Sequence, residues 1–225
     1  MIRYVAGFPE LVATPFTGDI NALCWPRPLV GDFAEVVARL GPGEGIVGFD
    51  ETRLRALPLS DGGRAAVEFM LADLRLLQSP GFAPELNCIY GYPRDEPDET
   101  LPTDVHSFHA DRAPVPSETW LCTYHGAPSE GLPNDAVQRR VELPELRAEL
   151  LHRFGGTDDA GFAAYLEETC QDLHYVPLPH AKPFSFGVGH LWRIAVDHPG
   201  SPVPPCVHRA PLPDPTHPPR LLLIS

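Results

Sequence analysis

The chain is poor in positive charge. Its only lysine is Lys182, and 17 Lys and Arg residues stand against 30 Asp and Glu residues, which gives a formal net charge of -13. Nucleic acids and anionic membranes are bound by clustered Lys and Arg, and no such cluster occurs along this sequence. The composition therefore argues against nucleic acid or a membrane surface as a partner.

Long apolar runs and paired cysteines are also missing. No stretch approaches the roughly 20 apolar residues that span a bilayer, and the first residues lack the apolar run of a secretory signal peptide. The cysteines are odd in number and none belongs to a CxxC pair, so a zinc site of that type is not expected. They are Cys24, Cys88, Cys122, Cys170 and Cys206. We expect a cytoplasmic protein with buried, reduced thiols.

Proline and glycine are abundant, with 28 and 19 residues. Such frequent Pro and Gly residues disfavour a helical bundle and favour short strands joined by turns. A hydrophobic content of 43% is nevertheless enough for a packed core. At 225 residues, and without an internal repeat or a linker, we expect one domain covering 1–225.

Four segments have the pattern of helices. Residues 33–40 begin after the capping-box-like Asp32 and stop at Gly41, and 63–78 carry an apolar stripe that ends at a Ser-Pro-Gly turn. Two later segments, 144–154 and 159–170, are separated by a Gly-Gly break. The first two predict N-terminal helices and the last two a helical insertion.

Short β-branched or aromatic segments between turns predict strands. They are residues 86–90, 105–109, 119–124, 174–178, 184–188, 191–196, 206–208 and 220–224. With the helices inserted between the third and fourth of these, the pattern predicts an α+β protein with a mainly β core. We expect a double-stranded β-helix, that is, a cupin-like jelly roll.

His109 and Asp111 form an HxD triplet near the middle of the chain. On a strand, residues two apart point to the same face, so this pair could grip one metal ion. His208, which is distant in sequence, could complete a set of two imidazoles and one carboxylate on one side of the ion. With ten histidines and 30 acidic residues, an HxD triplet also arises by chance.

Arg220 follows His208 by twelve positions and opens the apolar run Leu221–Ile224. An arginine at the start of a final strand could reach into a barrel and hold a carboxylate through two hydrogen bonds.

This order of residues resembles that of the iron(II)/2-oxoglutarate-dependent dioxygenases. The resemblance implies that His109, Asp111 and His208 bind iron(II) and that Arg220 binds the distal carboxylate of 2-oxoglutarate. Thr123 or Tyr124, on the strand after the triplet, would hydrogen-bond the same co-substrate, although a buried hydroxyl bonded to backbone is an equal alternative.

A narrower resemblance, to a bacterial domain family of unknown function, extends over most of the chain. The segments that carry it are Asn21-Ala-Leu-Cys-Trp25-Pro-Arg27, Ser107-Phe-His-Ala-Asp111, Leu121-Cys-Thr-Tyr124, Gly131-Leu-Pro-Asn-Asp-Ala-Val137 and Val207-His-Arg-Ala-Pro211. The chain departs from that family's pattern at Trp120-Leu121 and at the turn that begins with His125. The resemblance names no substrate.

Two more residues are candidates for contact with a substrate. His125 falls in a turn that would line the mouth of the pocket. Arg193 would lie on a strand near His208 and pair with a substrate carboxylate, or else form a structural ion pair with one of the acidic residues.

These features favour an oxygenase that hydroxylates or desaturates a small molecule or an amino-acid-like substrate. Two alternatives stay open. One is a cupin-like metalloenzyme that does not use 2-oxoglutarate, and the other is a non-catalytic metal-binding or structural module. The sequence indicates neither the substrate nor the oligomeric state.

Overall fold

The computed structural model describes residues 1–79, 81–93, 103–169, 171–214 and 216–225. The helices are α1 (Phe8–Ala13), α2 (Phe33–Leu40), α3 (Glu51–Arg55), α4 (Asp61–Gln78), α5 (Pro144–Phe154) and α6 (Ala160–Glu168). The strands are β1 (Ile2–Tyr4), β2 (Ala22–Trp25), β3 (Ile46–Phe49), β4 (Glu85–Ile89), β5 (Glu118–His125), β6 (Glu130–Leu132), β7 (Val137–Arg139), β8 (Tyr175–Pro177), β9 (Phe184–Ser185), β10 (Leu191–Ala195), β11 (Val207–Arg209) and β12 (Arg220–Ile224). The fold is α+β with a sheet-rich core, as predicted.

The strands form one large sheet and two small ones. The large sheet has seven strands in the order β1-β2-β10-β5-β12-β4-β3. A three-stranded sheet has the order β11-β6-β9, and β7 pairs with β8. Sequence neighbours are therefore often separated in space, and strands distant along the chain lie side by side.

The two faces of the large sheet have different environments, as β5 illustrates. Trp120, Cys122 and Tyr124 pack into a large apolar core with the helical segments. Leu121, which points the other way, packs into a smaller core that also contains Phe186 of the segment after β9. Because strand side chains alternate between faces, Thr119 and Thr123 share the face of Leu121. This second face carries the candidate site.

The predicted helices form at the predicted places. The Asp32 carboxylate accepts a hydrogen bond of 2.9 Å from the Glu35 amide and so caps α2. Glu35 does not close a capping box, because its carboxylate instead binds the Ser60 backbone and hydroxyl at the start of α4. Helix α5 ends at Gly155, whose φ of 71° is left-handed and therefore suits glycine. Of the predicted helix 159–170, Cys170 lies outside the described residues.

The predicted strand 105–109 is wrong. The Asp104 carboxylate accepts hydrogen bonds from the backbone N–H groups of His106 and Ser107, which bends this segment into a turn. Only His109 at its end makes bridge contacts with other segments. The remaining predicted strands correspond to strands of the structure, whereas β1, β2, β3, β6 and β7 and the short helices α1 and α3 were not predicted.

The described cysteines are free and buried. Burial raises the pKa of Cys24, Cys122 and Cys206 to about 12, so these thiols are protonated at neutral pH. Cys88 is also free, and Cys170 is not described. Among the described residues, no helix combines the length and the apolar character needed to cross a membrane.

Candidate metal centre

The structure brings His109, Asp111 and His208 together. One potential ligand atom from each residue lies within 4.8 Å of the other two. Asp111 Oδ1 is 4.0 Å from His109 Nε2 and 3.8 Å from His208 Nε2. Residues 97 positions apart thus converge on one point, which is the geometry that a shared metal ion requires.

Backbone pairing places the two imidazoles side by side. His109 and His208 exchange both backbone hydrogen bonds, at 2.9 and 2.8 Å, in an antiparallel bridge. Side chains of directly opposed residues point to the same face, and here the ring centroids are 4.7 Å apart.

Hydrogen bonds to the backbone orient both rings. Nδ1 of His109 lies 2.7 Å from the Ser107 carbonyl, and Nδ1 of His208 lies 3.2 Å from the Cys206 carbonyl. Because a carbonyl only accepts, each Nδ1 carries the proton and each Nε2 presents a lone pair to the centre. Metal-binding histidines are characteristically fixed in this way.

Asp111 is positioned by hydrogen bonds rather than by the strand that the sequence predicts. The sequence predicts His109 and Asp111 on one strand, but they lie in a segment with isolated bridges. The Asp111 carbonyl accepts from the Asp197 amide at 2.8 Å, and Thr119 Oγ1 donates to Asp111 Oδ2 at 2.5 Å. Thr119 therefore occupies one carboxylate oxygen and leaves Oδ1 facing the histidines.

The protonation states suit a cation. Burial and, to a smaller extent, His208 lower the pKa of His109 to about 4. Burial acts to raise the pKa of Asp111, but His208, the Thr119 hydroxyl and His109 together hold that pKa below its ordinary value. At neutral pH, His109 is therefore neutral and Asp111 is ionised, as metal ligands must be.

His174 lies beside this centre, and its ring centroid is 5.8 Å from that of His109. Burial, together with smaller effects of His109 and Arg140, lowers the pKa of His174 to about 4. A histidine whose pKa is about 4 when folded and 6.5 when unfolded binds its proton more readily in the unfolded chain. Its contribution to stability is therefore present above pH 6.5 and is lost as the pH falls towards 4.

We expect the free energy of unfolding of the metal-free protein to decrease between pH 6.5 and pH 4. Urea unfolding measured at several pH values would follow this decrease. Replacing His174 by asparagine should make the decrease smaller by about 2 kcal/mol, because the variant has no imidazole to protonate there. Identical pH profiles for the two proteins would contradict this assignment.

Arg220 forms a second polar cluster. It is only 5% exposed. Its guanidinium donates hydrogen bonds to three hydroxyls, those of Tyr92 at 2.6 Å, Thr123 at 3.1 Å and Ser129 at 3.0 Å. In the described part of the chain no carboxylate lies within ion-pair distance of Arg220, and its Nε is buried without a partner.

A buried cation without a counter-charge is costly. Burial lowers the pKa of Arg220, and Tyr92 opposes this effect only in part. A carboxylate would supply the missing charge, and the three hydroxyls could rotate to donate to it as well. A cavity of about 410 Å³ opens beside Arg220, with Tyr92, His106 and Pro211 among its walls.

The two clusters are joined by one face of β5. Thr119 bonds Asp111, and Thr123, four residues further along the strand, bonds Arg220. Four residues of a strand span roughly 13 Å. On the facing sheet, Gly131 of β6 lies opposite His208, and Ser129 precedes it by two residues. Both sheets therefore place the three metal-ligand candidates at one end and Arg220 at the other.

Tyr124 and His125 do not reach this face. A bulge in the pairing of β5 with β12 aligns Leu221 with His125 and Leu222 with Thr123, so Tyr124 is the extra residue. The Tyr124 hydroxyl donates to Asp73 of α4 at 2.7 Å. His125 is paired with Leu221, which packs in the helical core. Burial lowers the pKa of His125, and Asp32 at the start of α2 opposes this.

Arg193 is also directed away from the metal-ligand candidates. Its guanidinium forms an ion pair with Glu118 and donates to the carbonyls of Leu11, Val12 and Thr14 around the end of α1. The structural ion pair, one of the two roles considered for Arg193, is the one that the structure contains.

Thr119, Ser129 and Tyr92 are site residues that the sequence reasoning missed. The period-two alternation of β5 relates Thr119 to Thr123 and could have identified it. No local pattern identifies Ser129 or Tyr92, which come from different segments and meet only at Arg220.

The donor set, rather than a relative, indicates what the site can do. Comparisons of the chain with protein-family models, with curated proteins and with solved structures each found no match. Two imidazoles and a carboxylate on one side of a metal ion leave its other positions open to small molecules.

Proposed function

We propose that this protein is a non-haem iron(II)- and 2-oxoglutarate-dependent oxygenase that hydroxylates or desaturates a small molecule or an amino-acid-like substrate. The observation that carries the proposal is the pairing of two clusters on one sheet face. His109, Asp111 and His208 converge at one end, and at the other Arg220 is buried with no counter-charge from any residue that the structure describes.

The metal part is supported by the fit of the residues to iron(II). Two imidazole nitrogens and one carboxylate oxygen are the ligands of the facial triad found in non-haem iron oxygenases. The Nδ1 hydrogen bonds of His109 and His208 fix the tautomers that present Nε2. Thr119 orients the Asp111 carboxylate.

The co-substrate part is supported by Arg220 and its ring of hydroxyls. The guanidinium would bind the distal carboxylate of 2-oxoglutarate, and Tyr92, Thr123 and Ser129 would add hydrogen bonds. The keto acid at the other end of the co-substrate would extend along β5 towards the metal ligands. Bound iron(II) supplies the oxygen chemistry, in which dioxygen is consumed, 2-oxoglutarate becomes succinate and carbon dioxide, and a C–H bond of the substrate is oxidised.

The apolar lining has its own role. Leu121 lies between Thr119 and Thr123 on this face of β5, Leu222 of β12 lies opposite Thr123, and both leucines pack in one core with Phe186. An apolar wall excludes water, which strengthens the charge interactions of the arginine and the ligands.

The order of the strands supports a double-stranded β-helix. In chain order, β4, β5, β10 and β12 join the large sheet, and the bridge at His109, β6 with β9, and β11 join the small one. Within the large sheet these four strands are neighbours, in the order β10-β5-β12-β4. This repeated passage between two facing sheets is typical of a jelly roll.

The test is oxygen-dependent formation of succinate. We expect the purified protein with iron(II) and 2-oxoglutarate to form succinate slowly in air and not under nitrogen, and to bind 2-oxoglutarate in anaerobic calorimetry. 2-Oxopentanoate, which has the same length but lacks the distal carboxylate, is the matched control and should bind much more weakly. Metal binding without 2-oxoglutarate binding would favour a cupin-like enzyme of another type, and no metal binding would favour a structural module.

A further inference from the structure

Four side chains form a row across neighbouring backbone segments. His109 is bridged to His208 on one side and to His174 on the other, in both cases antiparallel. Arg140 follows β7 directly and His174 directly precedes β8. The Arg140 amide donates to the His174 carbonyl at 2.8 Å, and the Arg140 charge helps to lower the pKa of His174, so the two residues lie side by side at the end of this pairing. Opposed residues of antiparallel segments share a face. The row is therefore His208, His109, His174 and Arg140.

Arg140 differs from the arginines around it. Its guanidinium makes no hydrogen bond or ion pair with any described residue, and its Nε is buried without a partner. In contrast, the neighbouring Arg139 and also Arg112 both bind the Asp172 carboxylate. The Asp104 carboxylate acts to raise the pKa of Arg140, but it lies beyond ion-pair distance. Asp104 Oδ1 instead accepts hydrogen bonds from the backbone amides of His106 and Ser107.

His174 completes the surroundings of Arg140. It is 7% exposed, and its Nδ1 lies 3.2 Å from the Ser107 hydroxyl. Its Nε2 makes no hydrogen bond to a described residue, so one polar atom beside Arg140 is free to meet a ligand. When the Ser107 hydroxyl donates to Nδ1, the neutral ring carries its proton on Nε2. The half-buried guanidinium and this N–H group then form a receptor for an anionic oxygen.

The position of Arg140 relative to the metal-ligand candidates indicates which anion it could bind. Each cross-strand step is roughly 5 Å, so the Arg140 backbone lies on the order of 10 Å from that of His109. Arg220 lies in another direction, along β5 rather than across the strands. The two arginines can therefore hold two different anions on either side of one metal centre.

We propose that Arg140, together with His174, binds the carboxylate of the substrate that is oxidised, and that this substrate is a small carboxylic acid. The inference rests on the proposed function, because the metal centre beside Arg140 is what would oxidise the bound acid. The carboxylate would lie at the Arg140 end of the row, and a carbon several bonds away would lie next to His109.

Proton relaxation of a small acid near manganese(II) tests this proposal without turnover. Manganese(II) would be bound at the three metal-ligand candidates, and butanoate would be compared with its neutral counterpart butanamide. We expect butanoate protons to be relaxed at least about fivefold more strongly than butanamide protons, in the wild type and in Arg220→Gln. In the double variant Arg140→Gln/Arg220→Gln, in which Arg220 cannot bind butanoate either, the butanoate effect should fall to the butanamide level. Arg139→Gln, whose guanidinium is tied to Asp172, is the matched control and should resemble the wild type.

Each outcome has a distinct meaning. A butanoate effect that survives in the double variant, or that is already lost in Arg220→Gln alone, would overturn the proposal. If the protein binds no manganese(II), saturation-transfer difference spectra of butanoate with Arg220→Gln test Arg140 without a metal, and loss of the signal in the double variant would support the acid site. Failure to bind 2-oxoglutarate would contradict the proposed function while leaving a signal that depends on Arg140 intact. Because Arg140 has no bonded side-chain partner, its variant should fold, which the melting temperature would verify.

Discussion

Replacing His208 by alanine is expected to lower the affinity for iron(II) by more than about 100-fold. Loss of a polar group that only orients a ligand typically costs 10- to 100-fold in affinity, and loss of a ligand itself should cost more. His208 Nε2 has one polar role in the structure, which is to face Asp111 and His109. Anaerobic titration with competition from a metal-binding dye would measure the affinity, and succinate formation should fall with it.

The matched control is His180→Ala, which removes an exposed imidazole from a turn. This variant should bind iron(II) as the wild type does. A graded variant, Thr119→Val, keeps the shape of the side chain but removes the hydroxyl that donates to Asp111. We expect it to bind iron(II) roughly 10- to 100-fold more weakly. Unchanged affinity in a folded His208→Ala protein would show that the metal is bound elsewhere.

The sequence predicts a structural feature well when the residues that determine it are close together in the chain. The α2 helix is encoded within a few residues, by Asp32 at its start and Gly41 at its end, and it forms where the pattern predicts. Likewise, Arg220 opens β12, as its place before an apolar run predicts. The convergence of His109 with His208 depends instead on a pairing between segments 99 positions apart, which the resemblance to a family suggested and local pattern could not.

The failures have physical causes of the same kind. The sequence predicts His125 in a turn, but β5 extends through His125, and the bulge at Tyr124 aligns His125 with Leu221. Similarly, the apolar and aromatic residues of 105–109 suit a strand, yet the Asp104 carboxylate bends the chain there. One extra residue in β5 determines where His125 lies, and hydrogen bonds of one side chain determine the conformation of residues 105–109. Neither feature can be recognised from the pattern of apolar residues.

Replacing Arg220 by glutamine should weaken the binding of 2-oxoglutarate by about 100-fold or more, with iron(II) affinity unchanged. The reason is that a charge-assisted pair of hydrogen bonds to the distal carboxylate would be lost, and 100-fold corresponds to about 2.7 kcal/mol. 2-Oxopentanoate has no distal carboxylate, so its affinity should change little. Anaerobic calorimetry on the iron(II)-loaded protein gives the affinities for the two keto acids, and titration of the metal-free protein gives the affinity for iron(II). Arg3→Gln, at an exposed position with a long ion pair, is the control.

The stability of the variant separates a binding role for Arg220 from a merely structural one. In the metal-free protein, three hydrogen bonds to hydroxyls are offset by the cost of burying a charge without a counter-ion. We therefore expect Arg220→Gln to change the free energy of unfolding by less than about 1 kcal/mol. Added iron(II) with 2-oxoglutarate at 100 times its Kd should stabilise the wild type by about 2.7 kcal/mol more than iron(II) alone, and the variant by much less. A variant that is strongly destabilised but still binds 2-oxoglutarate normally would make Arg220 a structural residue, because a cation buried to receive a carboxylate is needed only when the carboxylate is present.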